Sequence, residues 1–144
     1  MMTDHQLPRV FLIDDEELAL RRLSRLLNES NRVEIIGHET DPIAALETLS
    51  NDSEKIDALF LDIQMPVLNG FELLAQLNRQ PSIIFTTAYD EYAVKAFEVN
   101  SIDYLLKPIE MAQLDRALSR IERQAWLLGR TRYDAPVIPN TGTT

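Results

Sequence analysis

Short apolar runs alternate with stretches of helical periodicity along the whole chain: Arg9 to Ile13, Val33 to His38, Ala58 to Leu61, Ile83 to Thr86 and Ile102 to Leu106 read as strands, each followed by a helix. The runs are rich in Val, Ile, Leu and Phe with little polar interruption, as strands of a parallel sheet need when both faces are covered. A βα unit repeated five times predicts an α/β sandwich with one parallel sheet between helical layers. Runs one, three and five are the most uniformly apolar and are expected to be central or well covered.

The helical stretches carry their own start and stop signals. The first sets Ala19, Leu20, Leu23, Leu26 and Leu27 on one stripe and turns Arg21, Arg22 and Arg25 to water. The second opens with Asp41 as N-cap and Pro42 at the first helical position. The third starts near Asn69-Gly70, buries Phe71, Leu73, Leu74 and Leu77, and ends before Pro81. The fourth, Asp90 to Val99, has a thin apolar face of Ala93, Ala96 and Phe97, so its packing is expected to be the weakest and the element mobile. The last, Glu110 to Leu128, places Leu114, Ala117, Leu118, Ile121, Ala125 and Leu128 at helical spacing, with Gly129 suited to end it. Residues 1–7 read as a flexible start, 8–128 as one globular domain, and the Pro- and Thr-rich 129–144 as a linker.

Composition narrows the function. The 144 residues, 45% of them hydrophobic, suit a single core. No cysteine is present, which removes disulfides, thiolate metal sites and cysteine nucleophiles and agrees with a reducing, cytoplasmic setting. No run approaches membrane-spanning length. A net charge of −9 argues against a grip on nucleic acid by these residues, because that requires clustered Lys and Arg.

The chemistry gathers where the apolar runs end. Asp14 and Asp15 follow the first, Asp62 ends the third, Thr87 the fourth and Lys107 the fifth. In a doubly wound sheet that edge is the ligand-binding edge, at the point where strand order reverses. Two unit charges about 4 Å apart repel by roughly 4 kcal/mol at an effective dielectric near 20, so crowded carboxylates call for a cation or a proton. Mg²⁺, or Mn²⁺ in its place, suits Asp15, Asp62 and the backbone carbonyl of Gln64, with Asp14 acting directly or through water. Asp62 then looks like a phosphate acceptor. A phosphoryl group there brings about −1.5 to −2 charge, which the metal, the Lys107 ammonium and the Thr87 hydroxyl can offset. Taken singly, each feature has a plain structural reading: an acidic helix start, a packed strand-end threonine, a Lys-Pro turn. Their coincidence at four strand ends is what points to one site.

These residues closely resemble the receiver domain of two-component response regulators over roughly 8 to 128. The resemblance implies a flavodoxin-like (βα)5 fold of strand order 2-1-3-4-5. It implies Asp14 and Asp15 as the acidic pair, Asp62 as phosphoacceptor, Thr87 as switch hydroxyl, Lys107 as the essential lysine, Tyr104 as switch aromatic, and a cis peptide before Pro108. It makes a histidine kinase the phosphoryl donor, and the chain a signalling domain that at most phosphorylates and dephosphorylates itself rather than an enzyme. Gln64 and Tyr89, each two residues beyond a site residue, become tuners of dephosphorylation; the bulk of Tyr89 argues for slow hydrolysis. The face of the fourth helix, fifth strand and fifth helix becomes a homodimer surface, with Lys95, Glu98, Asp103, Asp115, Arg116 and Arg120 as its charges. The run from Phe85 to Ile109 resembles LytTR-type receivers (LytR/AlgR-like), which precede a DNA-binding domain. Such a domain is absent from this sequence, so DNA binding and transcriptional control would belong to it. His5 and His38 are expected at the surface, and Trp126 with Leu127 either in contact with a partner or half in the core.

Rival readings share parts of this chemistry. An aspartate-nucleophile phosphatase of the haloacid dehalogenase kind wants Asp-x-Asp after its first strand, whereas Asp62-Ile63-Gln64 lacks the second acid and follows the third. A flavin or nucleotide carrier wants a Gly-rich loop after strand one, and only four glycines occur. An unphosphorylated docking module of the same fold would not need the full set of site residues.

Overall fold

A computed structural model describes residues 7–52 and 55–127. Its elements alternate without exception: β1 (Arg9–Ile13), α1 (Glu17–Ser30), β2 (Glu34–Glu39), α2 (Pro42–Asp52), β3 (Ala58–Asp62), α3 (Gly70–Ala75), β4 (Ser82–Thr87), a 3-10 turn (Asp90–Tyr92), α4 (Ala93–Glu98), β5 (Asp103–Leu106) and α5 (Met111–Leu127). The sheet is parallel with order β2-β1-β3-β4-β5, as expected.

Strand alternation sorts the apolar side chains into two cores. Val10, Leu12, Ala58, Phe60, Ile84 and Leu105 face α1 and α5, where they meet Leu20, Leu23, Leu27, Leu114, Leu118 and Ile121. Phe11, Ile13, Leu59, Leu61, Ile83 and Phe85 face the other way, onto Ala45 and Leu49 of α2, Leu73 and Leu74 of α3, and Ala96 of α4. With β1, β3 and β4 nearly all buried, almost every apolar position of the central strands contributes to one core or the other.

Local signals set the element ends. The Asp41 carboxylate accepts from the Ile43 amide and Pro42 opens α2. A capping box opens α3: the Asn69 side chain accepts from the Glu72 amide while the Glu72 carboxylate accepts from the Asn69 amide. Asn31 ends α1 in the left-handed region at φ 56°.

Several expectations need correction. The fifth strand is not central: β5 is the edge, its Leu106 is exposed, and β4 takes the interior place. The fourth helix is shorter than its periodicity suggested, because Asp90–Tyr92 wind as a 3-10 turn. Phe97 leaves its core face altogether, at 83% exposure; Ala93 is exposed as well, so Ala96 alone is buried on α4. Phe71 and Leu77 are only half-buried. His38 lies at the surface as expected, and Trp126 and Leu127 are exposed. His5, Leu128, Gly129 and the 129–144 linker lie outside the described residues. Among the described residues no helix is long and apolar enough to cross a membrane.

Candidate functional site

The site sits on the rim formed by the carboxyl ends of β1, β3, β4 and β5. Asp14 directly follows β1, and its amide donates to Glu39 O of β2. One Asp14 oxygen accepts from the Glu16 amide at 2.9 Å, which holds its carboxylate at the approach to α1. Asp62 is the last residue of β3, in register with Thr86 of β4. Just beyond it the Ile63 amide donates to Thr86 O at 3.0 Å, and the Gly70 amide returns to Ile63 O at 2.9 Å. The phosphoacceptor candidate thus stands at a strand end whose following residue is tied to β4 and to the start of α3. A Cβ on Gly70 would lie 2.7 Å from Asp62 O, so α3 starts in direct contact with the end of β3.

Lys107 leaves β5 with its amide bonded to Thr87 O at 2.8 Å, and the Lys107–Pro108 bond is cis. Its ammonium lies 2.8 Å from Asp14 Oδ2, 3.4 Å from Asp62 Oδ1 and 3.7 Å from Glu16 Oε1. Asp14, Asp15 and Asp62 each present an oxygen within 4.8 Å of the others. This all-oxygen donor set, with no imidazole or thiolate, suits a hard divalent cation. Thr87 is fully buried, and its hydroxyl accepts from the Tyr89 amide at 3.2 Å.

Electrostatics match that crowding. Burial, then the charge of Asp14, push the Asp62 carboxyl up to about 8; Lys107 opposes them, and contact with Asp15 adds to the rise. For Lys107, burial works against the charged form. The hydrogen bond to Asp14 and the charges of Asp62, Asp14 and Glu16 outweigh it, so its ammonium titrates above the ordinary value.

The remaining expected site residues are spread around this rim. Tyr104 of β5 is half-buried; its hydroxyl donates to Tyr89 O and accepts from the Tyr92 amide at 3.2 Å. Burial raises its pKa. Tyr89 is exposed and meets Tyr92 edge-on at 6.5 Å between centroids. The Gln64 side chain donates to the Tyr92 hydroxyl at 2.6 Å. The proposed interface charges are largely engaged within the chain. Asp103 is buried and accepts from Arg116 Nε and Nη2, both at 3.0 Å, with Arg120 at 3.3 Å. Asp115 pairs with Arg32 at 3.4 Å. Lys95 lies 5.2 Å over the Phe71 ring, and Glu98 is exposed on α4.

Two contributors escaped the sequence reading. Glu16 joins the carboxylates around Lys107; its place in the run Asp14-Asp15-Glu16 was the available signal. Tyr92 meets Gln64 from 28 positions away, a contact only the fold creates.

Comparison with known proteins settles the family. The model of the response regulator receiver domain matches residues 10–119. The chain belongs to that family. An uncharacterized response regulatory protein of Vibrio cholerae is 45% identical over 115 residues, covering 78% of this chain and 48% of its own. The transcriptional regulatory protein BtsR of Escherichia coli is 38% identical over 133 residues, covering 91% of this chain and 53% of its own. This receiver therefore spans about half the length of the curated relatives it matches. The response regulatory domain of protein mrkE from Klebsiella pneumoniae superposes with a TM-score of 0.69 at 37% identity, over 83% of this chain and 98% of that one.

Proposed function

We propose that Asp62 is the phosphoacceptor of a two-component signalling protein in the cytoplasm, charged by a sensor histidine kinase. The observation that carries this reading is the meeting of Asp14, Asp15 and Asp62 within 4.8 Å, with Lys107 against two of them. In the transfer, an Asp62 oxygen forms a bond to phosphorus as the donor's N–P bond breaks and the histidine nitrogen keeps the electron pair. Asp14, Asp15, Asp62 and the Gln64 carbonyl would hold Mg²⁺, or Mn²⁺. When bound, the ion supplies the counter-charge that lets Asp62 ionise below its raised pKa and that offsets the moving phosphoryl group. Lys107 balances a second phosphoryl oxygen and Thr87 donates its hydroxyl to a third. Incubation with a small acyl phosphate, followed by intact mass, tests the metal's part: one phosphoryl group is expected with Mg²⁺ and none with a chelator.

The output follows from the rim. A Thr87 hydroxyl drawn to the phosphoryl group gives up its bond to the Tyr89 amide and loosens the segment that Tyr104 holds through Tyr89 O and the Tyr92 amide. That segment leads into α4, where Val94 and Phe97 are exposed beside Lys95 and Glu98. With Leu106 of β5 they form the apolar centre of the proposed homodimer face, an account that gives Asp103, Arg116 and Arg120 a supporting rather than a bridging role. We expect acyl phosphate and Mg²⁺ to drive dimerisation in sedimentation, and Thr87→Ala to abolish that response while leaving phosphoryl uptake detectable. Dimerisation of Thr87→Ala equal to that of the unaltered chain would refute the route. The LytTR-like run from Phe85 to Ile109 supports pairing with a DNA-binding output domain, and the likeness to the transcriptional regulatory protein BtsR supports transcription as what is controlled.

A further inference from the structure

We propose that Tyr92 is a positioning residue that holds the Gln64 carboxamide away from Asp62 and so lengthens the life of the phosphoryl group. This inference rests on Asp62 being the phosphoacceptor. Gln64 is two residues beyond Asp62, exposed, and bonded to the Tyr92 hydroxyl at 2.6 Å. Both residues line a cleft of about 420 Å³ together with Ile63, Met65, Pro66 and Asn69. Tyr92 is the firmer partner. Its ring packs on Phe71 at 6.1 Å between centroids, which in turn packs on Phe85 of β4 at 4.9 Å, an anchor independent of the Tyr104 hydroxyl. The flexible glutamine is therefore drawn across the cleft to an anchored phenol.

The consequence is chemical. In hydrolysis a water oxygen attacks phosphorus, the bond from phosphorus to the Asp62 oxygen breaks, and the carboxylate leaves with the electron pair as the water's proton passes to solvent. A carboxamide both donates and accepts, so a free glutamine beside the phosphoryl group can orient that water. Bound to Tyr92, Gln64 is withheld from the task. Any screening of the rim by the bulk of Tyr89 is a separate effect, since Tyr92 acts on the glutamine itself.

Tyr92→Phe keeps the ring packing and removes only the hydroxyl. The half-life of phosphorylated protein, followed by intact mass after the donor is removed, is expected to shorten about 3- to 10-fold, the rate equivalent of one neutral hydrogen bond. In a Gln64→Ala background the same substitution is expected to leave the half-life where Gln64→Ala alone puts it. A structural role for the Tyr92 hydroxyl would shorten the half-life equally in both backgrounds, and that result overturns the proposal, as does an unchanged half-life in Tyr92→Phe alone. An unaltered chain that takes up no phosphoryl group overturns instead the assignment of Asp62 on which the inference stands.

Discussion

Asp62→Asn is expected to make the metal-free protein more stable at pH 8 by about 3 kcal/mol, and to change it little at pH 4. The sign follows from the raised pKa. The Asp62 carboxyl titrates at about 8 in the folded chain, against about 3.9 in an unfolded one. Between those values the folded state keeps a proton that the unfolded state has lost, so stability falls as pH rises through the window. Above it the buried carboxylate is ionised beside Asp14 and its full cost is present. The difference between those two values sets a ceiling of about 5 to 6 kcal/mol, which local relaxation and water access reduce. Asparagine has nearly the same shape and no charge to bury. Urea unfolding at pH 4, 6 and 8 without divalent ions measures the effect; a variant no more stable than the parent at pH 8 would show that the rim does not crowd its acids. Saturating Mg²⁺ should narrow the gap, since an ion at about 100 times its Kd stabilises the parent by about 2.7 kcal/mol. The site thus sacrifices stability for charge that a ligand later uses, a common relation between function and folding.

Gly70→Ala is expected to cost about 2 to 3 kcal/mol and to reduce phosphoryl uptake with it. The new Cβ would meet Asp62 O at 2.7 Å and Ile63 Cα at 3.2 Å. Both are backbone atoms of the segment that carries the phosphoacceptor, so relief requires moving either β3 or the start of α3. Alanine's better helix propensity returns up to about 1 kcal/mol, which is included in that range. Gly37→Ala is the control. Its Cβ would also meet an atom at 2.7 Å, but that atom belongs to the Phe11 side chain and not to the backbone that carries residue 62. A smaller loss and normal phosphoryl uptake are expected there. The urea midpoint at constant m, with intact mass after acyl phosphate, separates the two variants; equal behaviour would show that the contact at Gly70 is no constraint on the site.

Much of the fold was legible because its signals are local or periodic. The five apolar runs became five parallel strands, the Asp41 cap stands where its residue type placed it, and the third helix starts at Asn69-Gly70 as expected. Burial of individual strands was harder to read. Tyr104-Leu105-Leu106 is as apolar as a central strand, yet β5 is an edge: Leu105 fills the core, while Leu106 is exposed and Tyr104 only half-buried. Phe97 failed for a related reason. Helical spacing puts it near Ala93 and Ala96, but the 3-10 turn shortens α4 to six residues, under two turns, and the aromatic ends outside. The clustering of Asp14, Asp15, Asp62 and Lys107 was accessible through topology, since residues ending adjacent parallel strands meet at one rim. What charge alone did not reveal was allocation. Asp103, Arg116 and Arg120 read as surface charges, but the short side chain of Asp103 is buried at the start of β5 and draws both arginines from α5. Contacts such as Gln64 with Tyr92 depend on loop paths, for which sequence periodicity carries no information.

The central claim is that one oxygen of residue 62 accepts a phosphoryl group, and mass spectrometry of the parent chain beside Asp62→Asn, both treated with Mg²⁺ and a small acyl phosphate, tests it most directly. The parent should gain the mass of a single phosphoryl group and the variant none. Equal gain in both proteins, or none in either, would contradict the account.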